Sequence, residues 1–323
     1  TPDIPLFASA ELHIAAATRV AAGLLRVEDL MPPADKAAVL PAEPAHPAPR
    51  VFSAEDVVRL LPMRACIEAA SEALRALSGR RGVMPVRQVL RIPGEKFGVL
   101  ASMPCCLDEF CACKSITVFP SNAGTRLSSH QGAVLLFSTE DGRLLSVADA
   151  HAITGLRTAA ASAVATRALA NEGPCVLALL GTGHQAALHL AAMREVRNVS
   201  RVHVWGRNRS RAQALADSVQ GVPVAVFDSA QEAVAGADVV CTLTPASEPV
   251  LQGAWLKAGA HVNAVGACTP AHRELDLEVV RRARVFVDTM EACLQEPGDL
   301  VQPLRAGELE AGHVLGELGS VLL

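Results

Sequence analysis

The segment that most constrains this chain is the apolar run Val176–Leu180 followed at once by Gly181-Thr182-Gly183-His184-Gln185-Ala186. It reads as a strand, a tight turn and the start of a helix. The first glycine permits the turn, the second lets the backbone approach a pyrophosphate, and the small Ala186 keeps helix and strand close. A phosphate would then sit on the helix N-terminus. Gly181, Thr182, Gly183, His184 and Gln185 are therefore candidate cofactor-binding residues, His184 through its backbone more than its ring.

The surroundings repeat one pattern. An alanine-rich helix over 154–170 leads into strand-like runs at 175–180, 201–205, 222–227, 238–243, 261–265 and 285–288, with helical stretches in most of the gaps. Strands alternating with helices predict a parallel sheet, hence an α/β, Rossmann-type nucleotide-binding domain. Its second strand runs into Gly206-Arg207-Asn208-Arg209-Ser-Arg211. An acidic residue there would take the ribose 2′-hydroxyl of NAD. None is present, and the guanidinium groups suit a 2′-phosphate instead, so the expected cofactor is NADPH, with Gly206, Arg207, Asn208 and Arg209 contacting it. Thr242, Leu243 and Thr244 close the fourth strand and Val265 the fifth, at strand ends that face a nicotinamide.

The glycine motif lies near the middle of the 323 residues, so another domain precedes it. Residues 1–50 are rich in Ala and Pro and read as an extension rather than a domain. Residues 51–153 read as a mixed α+β domain, 154–290 as the nucleotide domain and 291–323 as a C-terminal segment. In the mixed domain a helix is predicted from Ser53-Ala-Glu55-Asp56 to Gly79. Short strands follow at 86–92, 97–103 and 115–119, and then a hairpin joins 133–137 to 144–148 through Glu140-Asp141-Gly142.

Composition removes several classes of function. With a net charge of −4, no Tyr and two Trp, the chain has neither a basic footprint nor a stacking platform for nucleic acid. The lack of Tyr also excludes the short-chain dehydrogenases, whose catalytic residue it is. Apolar runs fall far short of the roughly 20 residues that span a bilayer, and no signal pattern opens the chain, so no membrane partner and a cytoplasmic location are expected. Nine cysteines, an odd number scattered through apparent strands and helices, read as reduced thiols. Cys105, Cys106, Cys111 and Cys113 match no usual zinc spacing, so no metal is expected.

Specific blocks narrow the reading. Gly82-Val-Met-Pro-Val-Arg87, Lys114, Ser129-His130-Gln131, Ile153-Thr-Gly-Leu-Arg157-Thr-Ala-Ala160, Gln231–Asp238, Glu248-Pro249 and Gly259-Ala-His-Val-Asn-Ala-Val-Gly266 occur in this order. Together they resemble the ornithine cyclodeaminase and mu-crystallin family, on its ketimine reductase side, over roughly residues 51–320. The resemblance implies a homodimer formed through the mixed domain, NADPH on the Rossmann domain, and reduction of the C=N bond of small cyclic ketimine carboxylates.

Such a substrate needs cations to hold its carboxylate and aim its imine carbon. By resemblance Arg87, Lys114 and Arg157 are those cations, Lys114 and Arg157 being the catalytic candidates. Cys268 lines the pocket, at a position where the cyclodeaminases carry a proton-handling Asp, which argues for imine reduction over release of ammonia from ornithine. The resemblance also implies two rival roles, an NADPH-regulated carrier of thyroid hormone or lens crystallin, and an ornithine cyclodeaminase. It further implies a final helix beyond Leu323, without which the chain is expected to be less stable than its relatives.

Overall fold

The computed structural model describes residues 4–8, 47–94, 97–122 and 124–323. They form two units, one ending at Thr154 and the other made of Gly155–Leu323 with the N-terminal strand. That strand, β1 (Ile4–Ala8), belongs to the parallel sheet of the second unit.

The first unit carries β2 (Arg50–Phe52), β3 (Gly82–Val83), β4 (Gln88–Ile92), β5 (Gly98–Leu107), β6 (Phe110–Val118), β7 (His130–Ser138) and β8 (Leu144–Asp149). They form one sheet in the order β2-β8-β7-β6-β5-β3, with β4 also paired to β5. Strands β4 to β8 pair antiparallel, as expected of consecutive hairpins, and β2 joins β8 in parallel. The single helix expected up to Gly79 is in fact two, Ala54–Leu60 and Met63–Ser78. Pro62 between them has no N–H to donate and would clash within a helix, so it starts the second helix instead. Ser53 caps the first helix in a reciprocal pair with Asp56, as its sequence signature predicts.

The second unit carries β9 (Pro174–Leu180), β10 (Asn198–Trp205), β11 (Val224–Val226), β12 (Val239–Thr242), β13 (His261–Ala264), β14 (Ala283–Val287) and β15 (Val314–Glu317). All eight strands are parallel, in the order β11-β10-β9-β12-β13-β1-β14-β15. Strands buried on both faces read as continuous apolar runs, which is why Cys-Val-Leu-Ala-Leu-Leu of β9 shows no alternation. The second unit is thus a Rossmann-type parallel sheet, and the first is a mixed α+β fold.

Two expectations fail here. The first concerns residues 1–50, read as an unpacked extension. Ile4–Ala8 instead fills the slot between β13 and β14, Leu6 pairing with Val262 on one side and Val285 on the other, and Ile4, Leu6 and Phe7 are fully buried. The Ala/Pro content of the flanking sequence hid a five-residue apolar strand; the rest of the segment up to residue 46 lies outside the described residues. The second concerns the thiols. Cys106 and Cys111 form a disulfide across β5 and β6, because antiparallel register sets them face to face. Cys105 and Cys113 remain thiols, and among the described residues no group of three or more His, Cys, Asp or Glu is arranged to hold a metal. Nor, among them, is any helix long and apolar enough to cross a membrane.

Candidate active site

The glycine loop has the geometry its sequence demands. Gly181 follows β9 with φ +126°, a region that side chains rarely enter, and the Cβ it lacks would lie 2.7 Å from the carbonyl oxygen of Leu243. Its N–H donates to the Trp205 carbonyl, tying the turn to β10. A Cβ on Gly183 would meet nothing within 4 Å, so open space lies at the start of the helix His184–Val196. No side chain caps that helix start, and Gln185 Oε1 is buried there without a hydrogen-bond partner. A 13-residue helix's positive end without a side-chain cap, bordered by space, fits a pyrophosphate. The His184 ring packs on the helix Ala150–Leu169 where Gly155 leaves room: a Cβ at 155 would stand 2.7 Å from its Nε2. The ring therefore has a packing role.

At the end of β10 the four candidates separate. Gly206 sits against Thr182, whose Cγ2 would be 2.7 Å from any Cβ. Asn208 caps the helix Arg209–Ser218, its side chain accepting from the Arg211 N–H at 3.0 Å. Arg209 is ion-paired with Asp228. Arg207 is exposed beside them. Along the sheet, Thr242 is fully buried, the Leu243 N–H donates to the Leu180 carbonyl, and the Val265 N–H donates to the Thr242 carbonyl. Residues from β9, β12 and β13 therefore converge on the C-terminal edge, where ligands of open parallel sheets bind.

Arg157 lies on the helix Ala150–Leu169 and is 1% exposed. Burial pulls its guanidinium down to about 9, opposed by Asp288 and Cys268, which are close enough to favour the charge. The structure thus brings Arg157 and Cys268 into one group with Asp288, a residue that sequence reasoning passed over. Asp288 is buried at the C-terminal end of β14 and accepts from the Thr289 N–H at 2.9 Å. Its signal was an acidic residue closing the apolar run Val285-Phe-Val287.

In the other unit Lys114 is 1% exposed on β6. It pairs with Met103 of β5, while Arg87 lies one residue beyond the Gln88–Ser102 pair, so the two cations flank β5 at the same level. His130 titrates low, first through burial and then through the positive charges of Lys114 and His151. His151 Nδ1 shares a hydrogen bond with Ser128 Oγ at 3.2 Å, and Ser128 Oγ accepts from the His130 N–H at 3.1 Å. A buried ammonium with two imidazoles nearby favours anions and suits proton handling.

A model of the family described as "Ornithine cyclodeaminase/mu-crystallin family" matches residues 48–323. The chain is 41% identical over 281 residues to "Ketimine reductase mu-crystallin" of Mus musculus, covering 85% of this chain and 87% of the mouse protein. Among solved structures, Thermococcus litoralis Delta(1)-pyrroline-2-carboxylate reductase in complex with NADH and L-proline superposes with a TM-score of 0.81. It is 32% identical, over 84% of this chain and 86% of that one. An archaeal alanine dehydrogenase dimer with bound NAD gives a TM-score of 0.80 at 30% identity, over 85% of this chain and 84% of that one.

Proposed function

The chain belongs to the ornithine cyclodeaminase/mu-crystallin family, and on that footing we propose that it reduces the C=N bond of small cyclic ketimine carboxylates, as a homodimer, with NADPH preferred over NADH. The observation that carries the reading is the glycine loop: Gly181 turned into a backbone form only glycine takes easily, and open space at Gly183 before an uncapped helix start. When bound, the dinucleotide supplies the hydride that adds to the imine carbon, while a proton goes to the nitrogen. Gly181–Gln185 would hold the pyrophosphate by backbone N–H groups. Thr242, Leu243, Thr244 and Val265 would border the nicotinamide. Lys114, Arg87 and Arg157 are the cations we assign to the substrate carboxylate from the family resemblance; a carboxylate held by charge-assisted hydrogen bonds fixes the direction of the C=N bond. Cys268, beside Arg157 where the cyclodeaminases place an acid, supports reduction over deamination.

The mouse relative's name supports a ketimine substrate, and the Thermococcus litoralis complex with NADH and L-proline supports a five-membered cyclic imino acid as one size that fits. That complex holds NADH, so the preference for NADPH rests on this chain's own residues. No acid ends β10, Arg209 is engaged by Asp228, and Arg207 is exposed, the guanidinium we assign to a 2′-phosphate. The dimer proposal rests on the alanine dehydrogenase dimer. Thyroid hormone, which carries an amino-acid carboxylate, would compete with the imine for the same cations.

The test is the rate of NADPH and NADH oxidation by the purified chain with a cyclic ketimine carboxylate. Turnover with NADPH favoured is expected, and Arg207→Ala should weaken NADPH by about tenfold to a hundredfold, the worth of a charge-assisted hydrogen bond, while leaving NADH nearly unchanged. Equal loss for both cofactors would overturn the role of Arg207, and no turnover with either would overturn the reductase reading.

A further inference from the structure

Glu274 is fully buried, yet nothing in the chemistry above uses it. Its Oε1 accepts from both the backbone N–H and the Oγ1 of Thr244, each at 2.6 Å, and its Oε2 accepts from the Gly266 N–H at 2.7 Å. Thr244 lies just past the end of β12 and Gly266 just past the end of β13, so one carboxylate joins the starts of two neighbouring loops. The loops touch through their backbones. A Cβ on Gly266 would stand 2.0 Å from the Thr244 carbonyl oxygen and 2.7 Å from Glu274 Oε2, so glycine is required there for space.

The carboxylate is itself anchored. The Glu274 N–H and its neighbour's both donate to Asp299 Oδ1 at 2.8 Å, and the Glu274 carbonyl accepts from Val250 and Leu251. Burial raises the Glu274 carboxyl, and the donors from Thr244 and Gly266 hold it down. Three donors converge on a group that, when ionised, can only accept, so the arrangement is satisfied by the carboxylate form. From Thr244 the path continues through Leu243, whose carbonyl abuts Gly181, to the glycine loop.

We infer that Glu274 is a positioning residue for the reaction: by pinning the Thr244 and Gly266 peptides it fixes the rim of the sheet edge on which the nicotinamide ring rests, and so the angle at which the ring faces the imine. The inference rests on the cofactor reading proposed above. Glu274 does not touch the reacting atoms. It acts through two peptides whose spacing only a two-oxygen acceptor can hold. An amide in its place offers one acceptor and turns an N–H₂ toward an N–H, which releases one of the loops.

The test measures nucleotide affinity by fluorescence titration and kcat and KM by imine reduction, for the parent chain, Glu274→Gln and Gly266→Ala. With the ring misplaced by a fraction of an ångström to an ångström, kcat is expected to fall by about tenfold to a hundredfold in Glu274→Gln, with KM for the imine within about threefold. Gly266→Ala, which forces the same two loops apart from the other side, should show the same split, and it stands in should Glu274→Gln not fold. A folded Glu274→Gln with parental kcat and nucleotide affinity overturns the inference, as does a loss confined to thermal stability. A parent chain that binds no nicotinamide nucleotide overturns the cofactor reading itself; parental binding with an unchanged variant overturns the positioning role alone.

Discussion

Cys106 stands directly opposite Cys111 in the register of β5 and β6, and the two are joined by a disulfide with Cα atoms 4.1 Å apart. The closed loop spans a sequence separation of five, so the chain entropy it removes from the unfolded state is small, about 2 kcal/mol by loop-closure arithmetic. The hairpin already imposes this register, which trims the effect further. Reduction with a thiol should therefore lower the unfolding free energy from urea titration by no more than that amount and leave nucleotide binding intact. A loss of folding on reduction would show that the hairpin depends on the bond.

Strand β1 predicts a larger effect from a more distant part of the sequence. Leu6 is fully buried between β13 and β14, paired to Val262 and Val285. Truncating a buried leucine costs about 2–5 kcal/mol in transfer and cavity terms. Leu6→Ala should destabilise the nucleotide-binding unit within that range, seen as a lower thermal midpoint. An unchanged midpoint would mean that the N-terminal strand is not part of the folded sheet.

Gly181→Ala tests the turn. At φ +126° a side chain is strained by about 1–3 kcal/mol, and the added methyl must also displace the Leu243 carbonyl, which shares the cofactor edge. Nucleotide affinity should fall more than tenfold, with a modest loss of stability. A folded variant with parental affinity would move the pyrophosphate away from this loop.

What the sequence showed and what it concealed divide along the range of the interactions involved. The glycine loop, the Ser53 cap and the parallel strands are local: a backbone form, a hydrogen bond three residues away, an apolar run. Each leaves a mark within a few residues. The break at Pro62 was local too and could have been read from the proline alone. Glu274 and Asp288 left no such mark, since their partners lie elsewhere: Thr244 is 30 residues from Glu274, and Arg157 lies on a helix far upstream of Asp288. Strand β1 was hidden for the same reason, because its partners at 262 and 285 are at the opposite end of the chain.

The buried pair Asp299 and Glu274 gives the folded state a pH dependence whose sign follows from Asp299. Burial, and then the negative Glu274 beside it, push the Asp299 carboxyl up from 3.8 to about 7, against the pull of the two N–H donors and of Arg273. The folded chain therefore holds a proton that the unfolded chain releases near pH 4. Where the folded state binds more protons, stability falls as pH rises. The contribution is full below about pH 4 and is lost as pH climbs to about 7. Asp299→Asn keeps an oxygen that can accept both N–H groups but has no such proton to lose. Its stability, followed by thermal unfolding, should gain on the parent's from about pH 4 to about pH 7, by up to a few kcal/mol, and level off above that. The change of the difference with pH is the readout, since the new amide hydrogens bring a constant cost of their own. Parallel curves for parent and variant across that range would mean that Asp299 is ionised in the folded protein at every pH tested, and that its two backbone donors outweigh its burial.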